Sequence, residues 1–132
     1  MKQLSIAIIT ILFATVFTSC KKDSVTPQSQ KPAIEGIWDG TYHYNGSTTE
    51  YSYRLQIKAG GVIERLDGTT VDGLGTWTLN GNNFSATYKN LPSKSVTYTI
   101  TATWDAASKK LTGETASSNP NIFTSFFILV KM

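Results

Sequence analysis

The amino-acid sequence predicts an all-β protein, an eight-stranded up-and-down antiparallel barrel, and three observations support that prediction. Apolar and polar residues alternate with a period of two over most of the chain from residue 34 onward. Turn-forming pairs such as Asn45-Gly46, Asp67-Gly68 and Asn80-Gly81 separate the alternating stretches. No segment of that region shows the apolar stripe of an amphipathic helix. A two-sheet β-sandwich is the alternative, because periodicity alone does not separate the two architectures.

Residues 1–19 are typical of a secretory signal peptide. Lys2 precedes an uncharged run at residues 4–17. As a helix this run would span only about 21 Å, which is short of the roughly 30 Å hydrocarbon core of a bilayer. The small residues Thr18 and Ser19 follow it directly. A basic start, a short apolar run and small residues after it together predict export and cleavage.

Cys20, the only cysteine of the chain, follows those small residues. A lone thiol is unusual in an exported protein, which favours its modification. The segment Thr18-Ser19-Cys20 resembles the lipobox of bacterial lipoproteins. The resemblance implies that Cys20 is acylated, for example with palmitate, and becomes the first residue of the mature chain. Lys21 at the next position implies anchoring at the outer membrane, on the periplasmic face or the cell surface. An ordinary signal peptide with an incidental cysteine is the alternative.

Residues 20–33 read as the lipidated cysteine and a flexible tether, because they are polar, hold two prolines and lack an apolar period. The formal net charge of +3 belongs to this part of the chain and the signal peptide. From residue 34 onward, eight Lys and Arg residues balance eight Asp and Glu residues. Nucleic-acid binding needs a basic surface on the folded domain, so we expect no nucleic-acid partner. The expected partner of this region is the membrane, through the N-terminal lipid.

The domain at residues 34–132 divides into eight strands. We predict them at residues 35–44, 50–59, 62–67, 74–79, 83–90, 95–104, 110–116 and 122–131. In the second strand Tyr53, Leu55 and Ile57 share one face, because successive side chains of a strand point to opposite sides. Short connections favour antiparallel neighbours, and closing the sheet removes its edges. The pattern does not determine the inward face of the third and eighth strands.

Gly36-Ile37-Trp38 opens the first strand. This G-x-W, the strand rhythm and the last strand FFILVKM resemble the lipocalin-like (calycin-type) domains of small bacterial outer-membrane lipoproteins. The resemblance implies that a basic residue of the last strand packs across the first-strand tryptophan and closes the barrel floor. Lys131 is the cation at that position, so Trp38 and Lys131 are the predicted structural pair. Plain core packing is the alternative role for Trp38.

The tyrosines indicate where a ligand would bind. All six fall in the strand halves at the end of the barrel opposite the tether, with the predicted connections at 45–49, 68–73, 90–94 and 117–121. A phenol offers a stacking face and a hydroxyl that stays hydrated in an empty site. We therefore predict a ligand-binding mouth formed by Tyr42, Tyr44, Tyr51, Tyr53, Tyr88 and Tyr98. The alternative is that tyrosine is simply a good strand residue at a half-buried rim.

Catalysis has little support in the sequence. The only histidine, His43, has the parity of an outward residue, and no second His or Cys is available for a zinc site. Asp67 and Asp72 are more typical of an acidic turn than of an acid–base couple. We expect no enzymatic activity, no cofactor and no metal. The predicted function is a lipid-anchored cell-envelope protein holding a small amphipathic or hydrophobic ligand. The alternative is a protein- or glycan-interaction module, an inhibitor or accessory subunit, acting through its loops.

Overall fold

The computed structural model of the protein describes residues 33–132, in which eight strands form a closed antiparallel barrel. The strands are β1 (Gly36–Tyr44), β2 (Tyr51–Lys58), β3 (Val62–Asp67), β4 (Thr70–Asn80), β5 (Asn83–Asn90), β6 (Thr97–Asp105), β7 (Lys110–Ser117) and β8 (Ser125–Lys131). Each strand pairs with the next along the chain, and β1 also pairs with β8. The predicted up-and-down barrel is therefore confirmed, and the sandwich is excluded. The architecture is consistent with a lipocalin-like fold.

Strand alternation divides the side chains between the interior and the outer surface. In β2, Tyr53, Leu55 and Ile57 are buried, whereas the residues between them are only half-buried. In β6, Ile100 and Ala102 are buried and alternate with exposed threonines. Threonine suits the outer face because it is β-branched and still hydrates well. The interior is thus apolar wherever the alternation is regular.

The end of the barrel where β1 begins is closed by large apolar side chains. Trp38 is fully buried, and its indole Nε1 donates a hydrogen bond of 2.8 Å to the carbonyl oxygen of Ile34. Lys131 lies opposite Trp38 in the β1–β8 ladder, and its ammonium group donates to the carbonyl oxygen of Ala33. The other fully buried residues of the domain include Phe84, Leu111 and Leu129. We call this the closed end.

The other two tryptophans also belong to the closed end. The Trp77 ring stacks on that of Phe84 with centroids 6.0 Å apart, and its Nε1 donates a 2.8 Å hydrogen bond to the carbonyl oxygen of Lys58. Trp104 is half-buried and packs against the same core. A short 3₁₀ turn at Ala59–Gly61 joins β2 to β3 here. The indole nitrogens of Trp38 and Trp77 are therefore hydrogen-bonded to the backbone while their rings pack at the barrel floor.

Strand β4 is longer than the sequence predicts. It begins at Thr70 rather than at residue 74, and Asp67 pairs with Thr70 across a tight turn. The predicted 68–73 connection is therefore wrong, since most of it is strand. Asp72, Gly73 and Gly75 have low strand propensity and conceal the strand in the sequence. A Cβ on Gly75 would lie 1.9 Å from a backbone oxygen of β5, so the close approach of these strands requires glycine.

Two further strand boundaries differ from the prediction, and the structure also shows the inward faces of the two strands that the sequence left open. Strand β8 begins at Ser125 rather than at residue 122, and β6 begins at Thr97 rather than at 95. A longer connection, residues 118–124, therefore joins β7 to β8. The buried face of β8 carries alternate residues from Ser125 onward. In β3, Ile63 is buried and Arg65 shares its parity, which settles the two faces that the sequence left open.

Part of the predicted domain organisation lies outside the residues that the structure describes. Cys20, the signal peptide and nearly all of the tether lie outside residues 33–132, so the lipidation of Cys20 stays a prediction. Within those described residues, no helix has the length and apolar character needed to cross a membrane.

Candidate ligand-binding site

A cavity of about 210 Å³ lies at the barrel end opposite Ala33, which we call the open end. The ends of β1, β3, β5 and β7 and the starts of the other four strands meet there. The lining residues are Tyr42, Tyr44, Tyr53, Arg65, Tyr88, Tyr98, Thr115, Ser117, Ile122, Phe123 and Ser125. This set combines aromatic faces, hydroxyl groups and one guanidinium. It therefore offers both apolar contact and hydrogen bonding to a small molecule.

Five polar side chains form a ring within the cavity. Tyr42, Tyr53, Arg65, Tyr88 and Thr115 each lie two residues inside the mouth end of their strand. Since a strand rises about 3.3 Å per residue, the ring is roughly 6–7 Å below the strand ends. Five different strands contribute to it, so the closed barrel itself brings these residues together.

The aromatic rings of the cavity pack against one another. Tyr88 and Tyr98 occupy opposed positions on β5 and β6, and their rings stack with centroids 5.1 Å apart at an interplanar angle of 17°. Tyr42 meets Tyr53 edge to face at 5.6 Å, and Tyr53 meets Phe127 edge to face at 5.4 Å. Such contacts fix ring orientations. The walls of the cavity are therefore held in place before any ligand enters.

Four of the phenolic hydroxyls form two pairs with long oxygen–oxygen distances. The hydroxyl oxygens of Tyr53 and Tyr88 are 3.3 Å apart, and those of Tyr42 and Tyr44 are 3.5 Å apart. Burial raises the pKa of Tyr42, Tyr53 and Tyr88 above the ordinary value for a phenol. These hydroxyls therefore keep their protons at neutral pH and can act as hydrogen-bond donors.

Arg65 enters the cavity beside a β-bulge. Arg65 pairs with Gly73 but the next residue, Leu66, pairs with Val71, so Asp72 is the extra residue of a β-bulge on β4. Arg65 Nη1 donates to Asp72 Oδ2 on β4. Across from Arg65 lies Gly73, where a Cβ would come within 2.7 Å of the Tyr88 ring and 3.0 Å of Arg65 Cβ. Glycine at this position therefore leaves room for the ring and the guanidinium together.

Two buried polar atoms near the ring make no hydrogen bond to any residue that the structure describes. They are Thr115 Oγ1 and Asp72 Oδ1. Thr115 is 6% exposed and lines the cavity. Its hydroxyl is close enough to Tyr53 to lower the pKa of that phenol against the larger effect of burial, but short of hydrogen-bond geometry. Unpaired buried hydroxyls are uncommon in proteins, so Thr115 gives the cavity lining a polar atom that could hydrogen-bond to a ligand.

The structure places five of the six predicted tyrosines in the cavity lining and leaves one outside it. Tyr42, Tyr44, Tyr53, Tyr88 and Tyr98 line the cavity. Tyr51 shares their strand face, but it is 44% exposed, is absent from the lining and stacks on Tyr42 with ring centroids 5.3 Å apart. Tyr51 therefore supports the rim of the mouth. Ligand binding by these residues stays a prediction.

The most polar part of the site is absent from the sequence-based prediction. The prediction does not include Arg65, because the β3 stretch VIERLD lacks a clean alternation and leaves the inward face open. Thr115 resembles the many outward threonines in sequence. The prediction places Ile122 and Phe123 in the eighth strand, but they belong to the connection that flanks the mouth. Two signals could have indicated Arg65: its parity with Ile63 and the glycine-rich strand that follows.

Other chemically capable residues do not gather into a site. His43 faces outward, and its ring lies 5.8 Å from that of Phe126 on the outer surface. Asp72 pairs with Arg65 rather than acting with Asp67. Among residues 33–132, no group of three or more His, Cys, Asp and Glu side chains is placed to hold a metal ion.

The outer face of β8 is unusually apolar. Phe126, Ile128 and Val130 are 36%, 55% and 46% exposed, although each lies between buried residues of the same strand. A shallow groove beside them is bordered by His43 on β1 and Glu114 on β7. This face, which we call the β8 stripe, is the second feature of the domain that could contact a partner.

Comparison of the chain with protein-family models, with curated proteins and with solved structures gave no match. The cavity and the β8 stripe therefore provide the grounds for assigning a function.

Proposed function

We propose that this protein is a lipid-anchored binding protein of the bacterial cell envelope that holds a small amphipathic ligand in its barrel. The supporting observation is the cavity of about 210 Å³ at the open end, with five tyrosines and a guanidinium in its lining. Aromatic walls with a few convergent polar groups are typical of small-molecule sites. In this proposal the domain is a lipocalin-like module, and it has no catalytic role.

The direction of the cavity agrees with an N-terminal anchor. Ala33, the first described residue, lies at the closed end beside Lys131. A tether that leaves from this point places the mouth on the far side of the barrel from the membrane. In the proposal, Cys20 carries the lipid at the outer membrane, and a ligand enters without crossing the lipid surface.

Native mass spectrometry tests the binding proposal. A chain that starts at Lys21 keeps the whole barrel and avoids detergent, which could itself occupy the cavity. After incubation with an organic extract of bacterial cells, we expect an added small mass that is lost on unfolding. Tyr42→Ala should reduce it, whereas Phe126→Ala, which truncates an aromatic side chain on the outer face of β8, should not. A barrel that stays empty, or equal retention by both variants, would contradict the proposal.

The anchor is tested separately. Cys20→Ser should abolish incorporation of an alkyne-labelled fatty acid and move the protein out of the membrane fraction, because no other cysteine is available for acylation. Ser24→Ala, a nearby change that keeps the thiol, should retain the label. Label on the Cys20→Ser variant would show that the anchor assignment is wrong.

A protein-interaction module is the second candidate function, and the β8 stripe favours it. Three exposed apolar side chains side by side on the outer face of one strand are unusual on a surface that faces only water. An inhibitor or accessory subunit would use this face, or the loops of the open end where Phe123 is 72% exposed. Ile128→Thr would weaken such a complex and leave the cavity unchanged, so the two candidate functions are separable.

A further inference from the structure

Among the described residues 33–132, Arg65 is the only charged residue that lines the cavity. Its side chain is 30% exposed, so much of the guanidinium is removed from water. Placing a charge in a barrel interior is unfavourable unless partners compensate it, and an apolar residue of similar size would often be more stable. Stability alone therefore does not explain an arginine at this position.

Asp72 compensates Arg65 only in part. A guanidinium has five N–H donors, and the described residues accept one of them, at Asp72 Oδ2. The other carboxylate oxygen, Oδ1, is buried without a partner in the described part of the chain. Burial, together with Asp67, raises the pKa of Asp72 despite the opposing effect of Arg65. The ion pair is therefore incomplete on both sides, and donors of Arg65 stay free to bind an acceptor.

Several hydroxyl groups share the cavity lining with this guanidinium. Tyr42, Tyr53 and Tyr88 stand with Arg65 in the ring, and Thr115 completes it from β7. The three phenols keep their protons, as described above, and the Thr115 hydroxyl has no partner among the described residues. The ring thus presents several donors and one positive charge, but no anionic group that lines the cavity.

We propose that the cavity binds a small amphipathic carboxylate, with Arg65 and Thr115 holding the carboxylate and the aromatic walls holding the apolar part. This inference rests on the proposed function and names its ligand class. A guanidinium matches a carboxylate because two parallel N–H donors meet two oxygens. Ile122 and Phe123 at the mouth supply further apolar contact.

The size of the cavity restricts the ligand. A dry cavity of about 150 Å³ is large enough for benzene. At about 210 Å³, this cavity accommodates a single ring with a short substituent, or an aliphatic chain of similar bulk. A long-chain fatty acid would have to extend well beyond the mouth. The geometry therefore favours a short arylalkyl or medium-chain carboxylate.

The strongest competing ligand class is an ammonium cation, because tyrosine-rich cages also bind cations through their ring faces. Arg65 opposes that class, since a like charge within the same cavity repels a cation. A cation site would bind an amine more tightly than a carboxylate, and an anion site would do the reverse. One set of titrations therefore distinguishes the two ligand classes.

Calorimetric titration of the chain from Lys21 onward tests the inference with three matched probes. They are 3-phenylpropanoate, 3-phenylpropanamide and 3-phenylpropylamine. We expect the carboxylate to bind the wild-type barrel roughly ten- to hundredfold more tightly than the amide, the usual range for a hydrogen-bonded charge. Binding of the amine should be the weakest. Amine binding equal to or tighter than carboxylate binding would overturn the inference.

Three substitutions assign the effect to named atoms. Arg65→Met keeps the stem and removes the charge, so it should abolish the preference for the carboxylate over the amide. Asp72→Asn removes the competing carboxylate and should strengthen binding of 3-phenylpropanoate. Thr115→Val removes an unpaired buried hydroxyl, so it should weaken carboxylate binding while keeping or raising the thermal midpoint. A role in stability alone would not predict this opposite pair of changes.

The outcomes separate this inference from the proposed function. If carboxylate and amide bind equally, or if Arg65→Met still prefers the carboxylate over the amide, Arg65 does not select ligands by charge. Only the inference then fails. If none of the probes binds and no mass from a cell extract is retained, cavity binding itself fails. Circular dichroism and thermal unfolding of each variant show whether a loss of binding comes from a loss of fold.

Discussion

The two ends of the barrel are built by the same eight strands, but they satisfy their polar atoms in opposite ways. At the closed end, the indole nitrogens of Trp38 and Trp77 each donate a 2.8 Å hydrogen bond to a backbone carbonyl oxygen. Ile34 covers the floor and is fully buried. Every one of these contacts lowers the free energy of the folded state directly.

At the open end, polar groups face an open space and remain only partly paired. Both buried side-chain polar atoms that lack a hydrogen bond within residues 33–132, on Asp72 and Thr115, lie here. The hydroxyl pairs are long, at 3.3 Å for Tyr53 and Tyr88, whereas a good O–H···O hydrogen bond is about 2.7–2.8 Å. Paired polar atoms favour the fold, and unpaired ones remain available to a ligand. The closed end therefore stabilises the fold, whereas the open end keeps polar atoms available for the ligand that we propose.

The largest expected effect is at the closed end. Trp38→Ala removes the fully buried ring, and truncation of a buried tryptophan typically costs about 3–5 kcal/mol of the roughly 5–15 kcal/mol that stabilise a domain. The thermal midpoint should fall by about 12 °C or more for a domain of this size. Thermal unfolding followed by circular dichroism measures it.

Tyr44→Ala is the matched control at the open end, where the ring is only half-buried. It should shift the midpoint far less than Trp38→Ala does. Equal shifts for the two variants would remove the distinction between a stabilising end and a binding end.

The closed end and the barrel topology could both be predicted from the sequence, and for the same reason. In β2 and β6 a strict period of two marks residues such as Leu55 and Ile100 as inward, and Asn45-Gly46 and Asn80-Gly81 mark the turns. Regular alternation is sufficient there, because the strands are unbroken and one face is apolar.

The polar part of the open end was not accessible, because it depends on a break in that regularity. The bulge at Asp72 shifts the register of β4 against β3, and Asp72 and Gly73 also conceal the start of β4. Which side of a strand faces inward then depends on the neighbouring strands rather than on local pattern. Thr115 illustrates the same limit, since nothing in its local sequence separates an inward threonine from an outward one.

An intermediate effect is expected for the buried hydroxyl pair. Tyr53→Phe keeps the ring contact with Phe127 but leaves the Tyr88 hydroxyl without its buried partner. An unsatisfied buried group costs about 1–3 kcal/mol, and the long distance places this pair near the lower bound. Urea unfolding of Tyr53→Phe, Tyr88→Phe and the double variant measures the coupling free energy.

We expect the double variant to be nearly as stable as the wild type because both partners are then apolar, which gives a coupling free energy of about 2 kcal/mol if each single variant costs about 1 kcal/mol. A double variant several kcal/mol less stable than the wild type would show that the hydroxyls of the open end also stabilise the fold, and the two ends would then not differ in this respect.

The smallest expected effect concerns Lys131, which the resemblance to lipocalin-like domains implies is part of the floor. Its backbone lies opposite Trp38, but its ammonium group hydrogen-bonds at the surface to the carbonyl oxygen of Ala33. An exposed contact of this kind contributes about 1 kcal/mol or less. Lys131→Met keeps the length of the stem, so the thermal midpoint should stay within about 4–8 °C of the wild type.

Lys109→Met, which removes a neighbouring exposed cation at the same end, is the control for a general effect of charge. If Lys131→Met lowers the midpoint as much as Trp38→Ala does, the lysine closes the floor together with the tryptophan, and a cation is part of the core. If it changes the midpoint no more than Lys109→Met does, the floor is apolar packing under Trp38 alone. We expect the second result, because the stability of the closed end comes from buried rings with satisfied indole nitrogens, and Lys131 adds neither.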